Sequence, residues 1–167
     1  MDNVDLGLLL LRVGFGLSLA YHGYNKVFGA GGLEGTARWF GSIGMKYPAL
    51  QARLAAATEI GSGVMFAVGF LTPLAAAGMI GVMLVATIVA HWKVGFFVFK
   101  PGQGWEYTGS IALLAFCVAT IGAGRFSIDR MLDLDVQDWW GAAIAGIVGV
   151  GAAVGQLALF YRPAPPT

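Results

Sequence analysis

Apolar and polar positions along the chain change over at the scale of whole helices. A spanning helix needs about 20 mostly apolar residues, and five stretches meet that measure: roughly Leu6 to Tyr24, Leu54 to Leu71, Leu74 to His91, Tyr107 to Ala123, and Trp140 to Tyr161. Thr72-Pro73 separates the second and third. Proline there removes a backbone donor and disfavours helix in the residue before it, which predicts a tight reversal and a membrane hairpin. Between the first two stretches, Leu33, Ala37, Phe40 and Ile43 recur at helical spacing with Glu34 and Arg38 elsewhere, which predicts a short helix at the membrane surface. Phe96 to Trp105, punctuated by Pro101, Gly102 and Gly104, reads as an interfacial loop, and Gly124 to Asp138 as a polar connection.

The fold class this pattern predicts is an all-α polytopic membrane protein, a four-helix transmembrane bundle with a fifth, glycine-rich C-terminal transmembrane helix. Residues 1–132 form the four-helix domain on this reading, 133–162 carry the added helix, and 163–167 are a disordered tail. Gly151 and Gly155 are four apart on the fifth helix, a small-xxx-small pair that permits close approach to another helix of this chain or of another subunit.

Composition sharpens the picture by exclusion. With 57% hydrophobic and 11% charged residues and a mean hydropathy of +0.74, the chain has too little polar surface for an ordinary soluble domain. A net charge of +1 with scattered Lys and Arg leaves no nucleic-acid footprint. Cys117 is the single cysteine, so no intrachain disulfide, Cys-x-x-Cys pair or cysteine-based zinc site can form. Acidic Met1 to Asp5 lacks the positive start of a signal peptide, and the apolar run after it reads as a retained first helix. Lys26, Arg38, Lys46, Arg53, Lys93, Lys100 and Arg162 fall on one side of the predicted membrane, against Arg125 and Arg130 on the other. That bias predicts a multi-pass inner-membrane protein with its N-terminus outside and its C-terminus cytoplasmic. The tryptophans, at 39, 92, 105, 139 and 140, sit near helix ends or interfacial segments, as an aromatic belt would.

Ionisable groups inside apolar segments need a reason, because an unpaired charge in the bilayer is costly. Taking helix directions to alternate, His22 and Lys26 end the first helix, Glu59 lies a few residues into the second, His91 ends the third, and Glu106 and Tyr107 begin the fourth. All fit one layer near the cytoplasmic face, rimmed by Tyr21, Trp92, Trp105 and Tyr107. Arg12 lies outside it, with an axial gap to Glu59 of roughly 10 to 15 Å by the helix rise. Positions 12, 15, 16, 19, 23 and 26 nonetheless share one helical stripe, so Arg12 faces the bundle or snorkels outward. Three readings of the layer stay open: ion pairing that glues helices, a site for a quinone, lipid headgroup or small polar molecule with His22 and His91 as donors, and a metal site. The last is weakest, because the spacing is long and irregular, and no metal is expected. No haem-binding motif or nucleotide fingerprint is present, so no intrinsic cofactor is expected either.

The chain resembles the DoxX family of small bacterial membrane proteins. The resemblance runs through Leu11-Arg12, His22-Gly23 and Lys26; Gly35-Thr36-Ala37 and Phe40 to Gly44; Glu59, Gly61 and Gly63; Gly69-Phe70-Leu71-Thr72; Ala90-His91; Gly95-Phe96-Phe97; Glu106-Tyr107; and Gly122 to Asp129. It implies a four-helix membrane core and a link to membrane redox complexes, including thiosulfate:quinone oxidoreduction, without a uniform enzymatic activity. The expectation is an accessory subunit of a membrane redox or respiratory assembly, without catalysis of its own, docking on membrane partners through the fifth helix. Its polar layer would be structural or would contact quinone or lipid. The alternatives are a quinone-reactive oxidoreductase subunit, with His22 or His91 bonding a quinone carbonyl and Glu59 or Glu106 relaying a proton, and a small-molecule carrier.

Overall fold

The computed structural model describes residues 3–163, and these are helical with no strand. Seven helices follow in order: α1 Asn3–Phe28, α2 Gly32–Ser42, α3 Pro48–Val68, α4 Thr72–Val94, α5 Glu106–Ile121, the short α6 Ile128–Met131, and α7 Asp138–Phe160. Two of them change pitch midway, α4 through a π turn at Thr87–His91 and α7 through another at Ile144–Val148.

By length and composition, α1, α4 and α7 are each apolar enough to cross a membrane. The other two stretches expected to span are shorter or more polar. α5 has 16 residues, and α3 carries Gln51, Arg53 and Glu59. The outer surface of the long helices is rich in apolar side chains: Leu10, Leu17, Leu113, Ile147 and Val154 are all more than half exposed. An exterior of this kind suits lipid, and the chain is a membrane protein.

The α1 stripe forms as its spacing predicts. Leu8, Arg12, Gly16, Leu19 and Gly23 are the buried positions of this helix, and they lie against α3. Gly16 and Gly63 set the distance of approach, since a Cβ on Gly16 would stand 2.5 Å from the Gly63 carbonyl and 2.8 Å from the Ala67 nitrogen. α3 packs on α4, α4 on α5, and α7 on both α4 and α5, while α2 lies along α3. Leu19, Phe66, Met79, Met83, Ile111, Val118 and Ala145 fill the centre.

The hairpin reversal is displaced from its expected place. Thr72 and Pro73 lie inside α4, where proline suits the first turn because its missing N–H would be unpaired there anyway. The turn itself is Gly69-Phe70-Leu71, with φ of 65° at Gly69 and 46° at Leu71.

On α7, Gly149 and Gly141 make the close contacts, a Cβ on Gly149 meeting the Ala77 carbonyl at 2.9 Å and one on Gly141 the Ala119 carbonyl. Gly151 and Gly155 have open space where a Cβ would be. The end of α7 is tied to the α2–α3 link by an isolated antiparallel bridge, Met45 to Tyr161. Lys46 N–H donates to the Phe160 carbonyl and Arg162 N–H to the Gly44 carbonyl, each at 2.8 Å. Of the expected tail, Ala164 to Thr167 lie outside the described residues.

Candidate functional site

At the last turns of α1, Gly23 lets the helix approach α3 closely, because a Cβ there would stand 2.8 Å from the Ala56 carbonyl and 2.9 Å from Glu59 Cβ. One turn further, Lys26 Nζ reaches both carboxylate oxygens of Glu59, at 2.6 and 2.9 Å. Glu59 is buried and Lys26 partly so. The two charges satisfy each other with charge-assisted hydrogen bonds, the condition for holding a carboxylate away from water.

A second constellation comes from α4 and α5. Thr87 and Thr108 hydroxyls lie 2.7 Å apart and fix the two helices in register, and the π turn beginning at Thr87 re-aims the residues after it. His91, at its end, places Nδ1 2.6 Å from the Gln103 carbonyl and Nε2 3.2 Å from the Tyr107 hydroxyl. A carbonyl can only accept, so Nδ1 carries the proton, and in the neutral ring Nε2 accepts from Tyr107. The Tyr107 ring meets His91 edge-on at 5.3 Å and stacks with His22 at 6.2 Å. Its hydroxyl is within electrostatic reach of Glu59.

These groups border one cavity of about 610 Å³, a size typical of small-molecule sites. Leu54, Val82, Met83 and Val89 are among its apolar walls, and His22, Lys26, Glu59, His91 and Tyr107 all line it. Glu106 stands apart from its lining. Its carboxylate accepts from Val98 N–H at 3.1 Å and so braces the 96–105 loop.

The cavity also has polar groups that sequence reasoning missed. Gln51 is fully buried, and its Oε1 accepts from Gln156 Nε2 at 2.7 Å, joining α3 to α7. A helix begun at Leu54 puts Gln51 in a loop, whereas α3 begins at Pro48. Pro48, a favoured first helical residue, was the available signal for the earlier start.

Arg12 belongs to a separate centre. It is fully buried and donates to the Phe126 carbonyl at 2.5 Å and, more weakly, to the Ala67 carbonyl at 3.4 Å. Asp129, also buried and within electrostatic reach of Arg12, accepts from Leu71 N–H at 2.6 Å and Thr72 N–H at 2.8 Å. A carboxylate there caps the N-terminus of α4 from a distant part of the chain, where the helix dipole favours negative charge. The 124–129 segment, expected as a polar connection, therefore folds inward over the hairpin.

Among the described residues no group of three or more His, Cys, Asp or Glu side chains is placed to hold a metal ion. Fold and site together define a helical membrane protein with an apolar, polar-edged cavity among its helices. The chain belongs to the DoxX family, whose profile matches residues 7–92, just over half of it. It is 36% identical over 87 residues to a Bacillus subtilis (strain 168) protein named "Putative oxidoreductase CatD". That match covers 52% of this chain, and the chain spans 58% of the relative's length. No solved structure matches.

Proposed function

We propose that this chain is a subunit of a membrane redox assembly that holds a quinone-class molecule in its cavity. One observation carries the reading: an apolar chamber of about 610 Å³ whose edge combines the Lys26–Glu59 pair with Tyr107 between two histidines. A flat, apolar ring bearing carbonyl oxygens needs such walls with a donor at the rim, and Lys26, whose ammonium has three N–H groups and spends two on Glu59, supplies one. The family's membership and the name of the Bacillus relative favour redox work. In this proposal α1, α3, α4 and α5 span as a four-helix core and α7 adds a fifth crossing. The N-terminus lies outside an inner membrane and the C-terminus in the cytoplasm.

Purification in mild detergent, with mass spectrometry of both companion proteins and extracted lipophiles, tests the reading. Redox subunits together with a quinone are expected. A chain recovered alone, carrying phospholipid only, would refute it.

A second reading keeps the accessory role without a ligand, and the observation favouring it is the self-sufficiency of Lys26–Glu59, in which each charge already has its partner. Under it, companion proteins appear without quinone.

A further inference from the structure

The cavity has a second polar wall, where α3 meets α7, and the helix contacts fix its depth. Gly23 of α1 lies beside Ala56 and Glu59 of α3, Gly78 of α4 beside Thr58 and Ser62 of α3, and Gly81 of α4 beside Gly149 and Ala152 of α7. Counting about 1.5 Å per residue from these contacts, and from the Thr87–Thr108 contact of α4 with α5, places Lys26, Tyr107, Gln51 and Gln156 within roughly two helical turns of one another in depth. The 2.7 Å contact between the two glutamines agrees with that register. Lys26 of α1, beside Tyr107 of α5, thus edges one side of the chamber and the glutamine pair another.

The two walls differ in how far their polar atoms are satisfied. Lys26 and Glu59 bind each other, and His91 links Gln103 to Tyr107. Gln51 has one end engaged by Gln156, while its Nε2, fully buried, has no partner among the described residues. A buried amide N–H left in this way is unfavourable unless something arrives to accept from it.

We propose that Gln51 is a ligand-binding residue, its Nε2 donating to an acceptor oxygen of the cavity's occupant, and that Gln156 is a positioning residue that holds the Gln51 amide in place. The inference rests on the quinone reading and narrows it. With the third N–H of Lys26 on one wall and the Gln51 Nε2 on another, the occupant carries acceptors on two edges, as a 1,4-dione ring does and a mono-ketone does not.

The test uses the full chain in detergent with two probes, 2-methyl-1,4-naphthoquinone and the mono-ketone 1-tetralone, binding followed by quenching of tryptophan fluorescence. The wild type is expected to prefer the dione about tenfold, the worth of one hydrogen bond. Gln51→Leu removes that preference by weakening the dione alone, while its unliganded thermal midpoint changes little, because the lost Gln51–Gln156 bond is offset by removal of the unpaired buried Nε2. Gln156→Leu, at a half-buried position, weakens the dione several-fold and serves as the second variant if Gln51→Leu does not insert. A wild type that binds the dione with the affinity of both variants overturns the role of Gln51 and leaves the quinone reading standing. A wild type that binds neither probe and retains only phospholipid overturns both.

Discussion

At the scale of single residues, Lys26 and Glu59 carry the sharpest consequence. Lys26→Met leaves a buried carboxylate unpaired and is expected to cost about 3 kcal/mol in denaturant unfolding, while Lys26→Met with Glu59→Gln recovers most of it. Equal losses in the single and double variants would show that the unpaired carboxylate is not what destabilises the single variant. Arg12 yields a second prediction. Lysine cannot reproduce a guanidinium that reaches two carbonyls, so Arg12→Lys should lower stability by about 2 kcal/mol. The stripe containing Arg12 was legible in the sequence, because a 3.6-residue period needs only local information. Its partner was not, since the Phe126 carbonyl lies 114 residues away and nothing local announces that the 124–129 segment folds inward. The membership of His22, Lys26, Glu59, His91 and Tyr107 in one layer followed from helix direction and rise alone. Glu106 shares that depth, yet its side chain turns to the loop backbone, and depth arguments carry no azimuth.

Among the helices, glycine has two different uses. Gly63 meets the Gly16 carbonyl and the backbone nitrogen of Ala20, and backbone cannot swing aside as a flexible side chain can. Gly63→Leu should therefore force α1 from α3, lower stability by about 3 kcal/mol and separate Lys26 from Glu59. Gly151 and Gly155 have no such neighbours, and Gly151→Leu is expected to change the stability of the isolated chain by less than about 0.5 kcal/mol. Any effect of that substitution on the docking proposed above would be read by co-purification, where a stability scan is blind. Gly63 with Ala67 and Gly151 with Gly155 look alike in sequence, because a small residue four positions from another says only that contact is permitted. The reversal at Gly69-Phe70-Leu71 was misplaced by two or three residues for a related reason: proline after a turn and proline within one give the same signal until the capping carboxylate, Asp129, is known.

For the molecule as a whole, the membrane character was legible from composition, and the lipid-suited exterior agrees with it. The cavity was not, because it requires walls from six helices and depends on how closely glycines allow them to approach. Part of that enclosure lies beyond residue 92, where the family match ends. Val148, Ala152, Ala153, Gln156 and Phe160 all come from α7, and the Met45–Tyr161 bridge pins the end of this helix beside α2. A fastening at the rim of a chamber governs time before it governs affinity. If the occupant passes only while the bridge is open, entry and escape slow by the same factor and their ratio, the dissociation constant, is untouched. A chain ending at Phe160, which loses the Arg162 N–H to Gly44 bond, should show faster association and faster release in stopped-flow mixing at unchanged equilibrium binding. The bridge would then act as a residence timer, setting how long one molecule stays before the next replaces it.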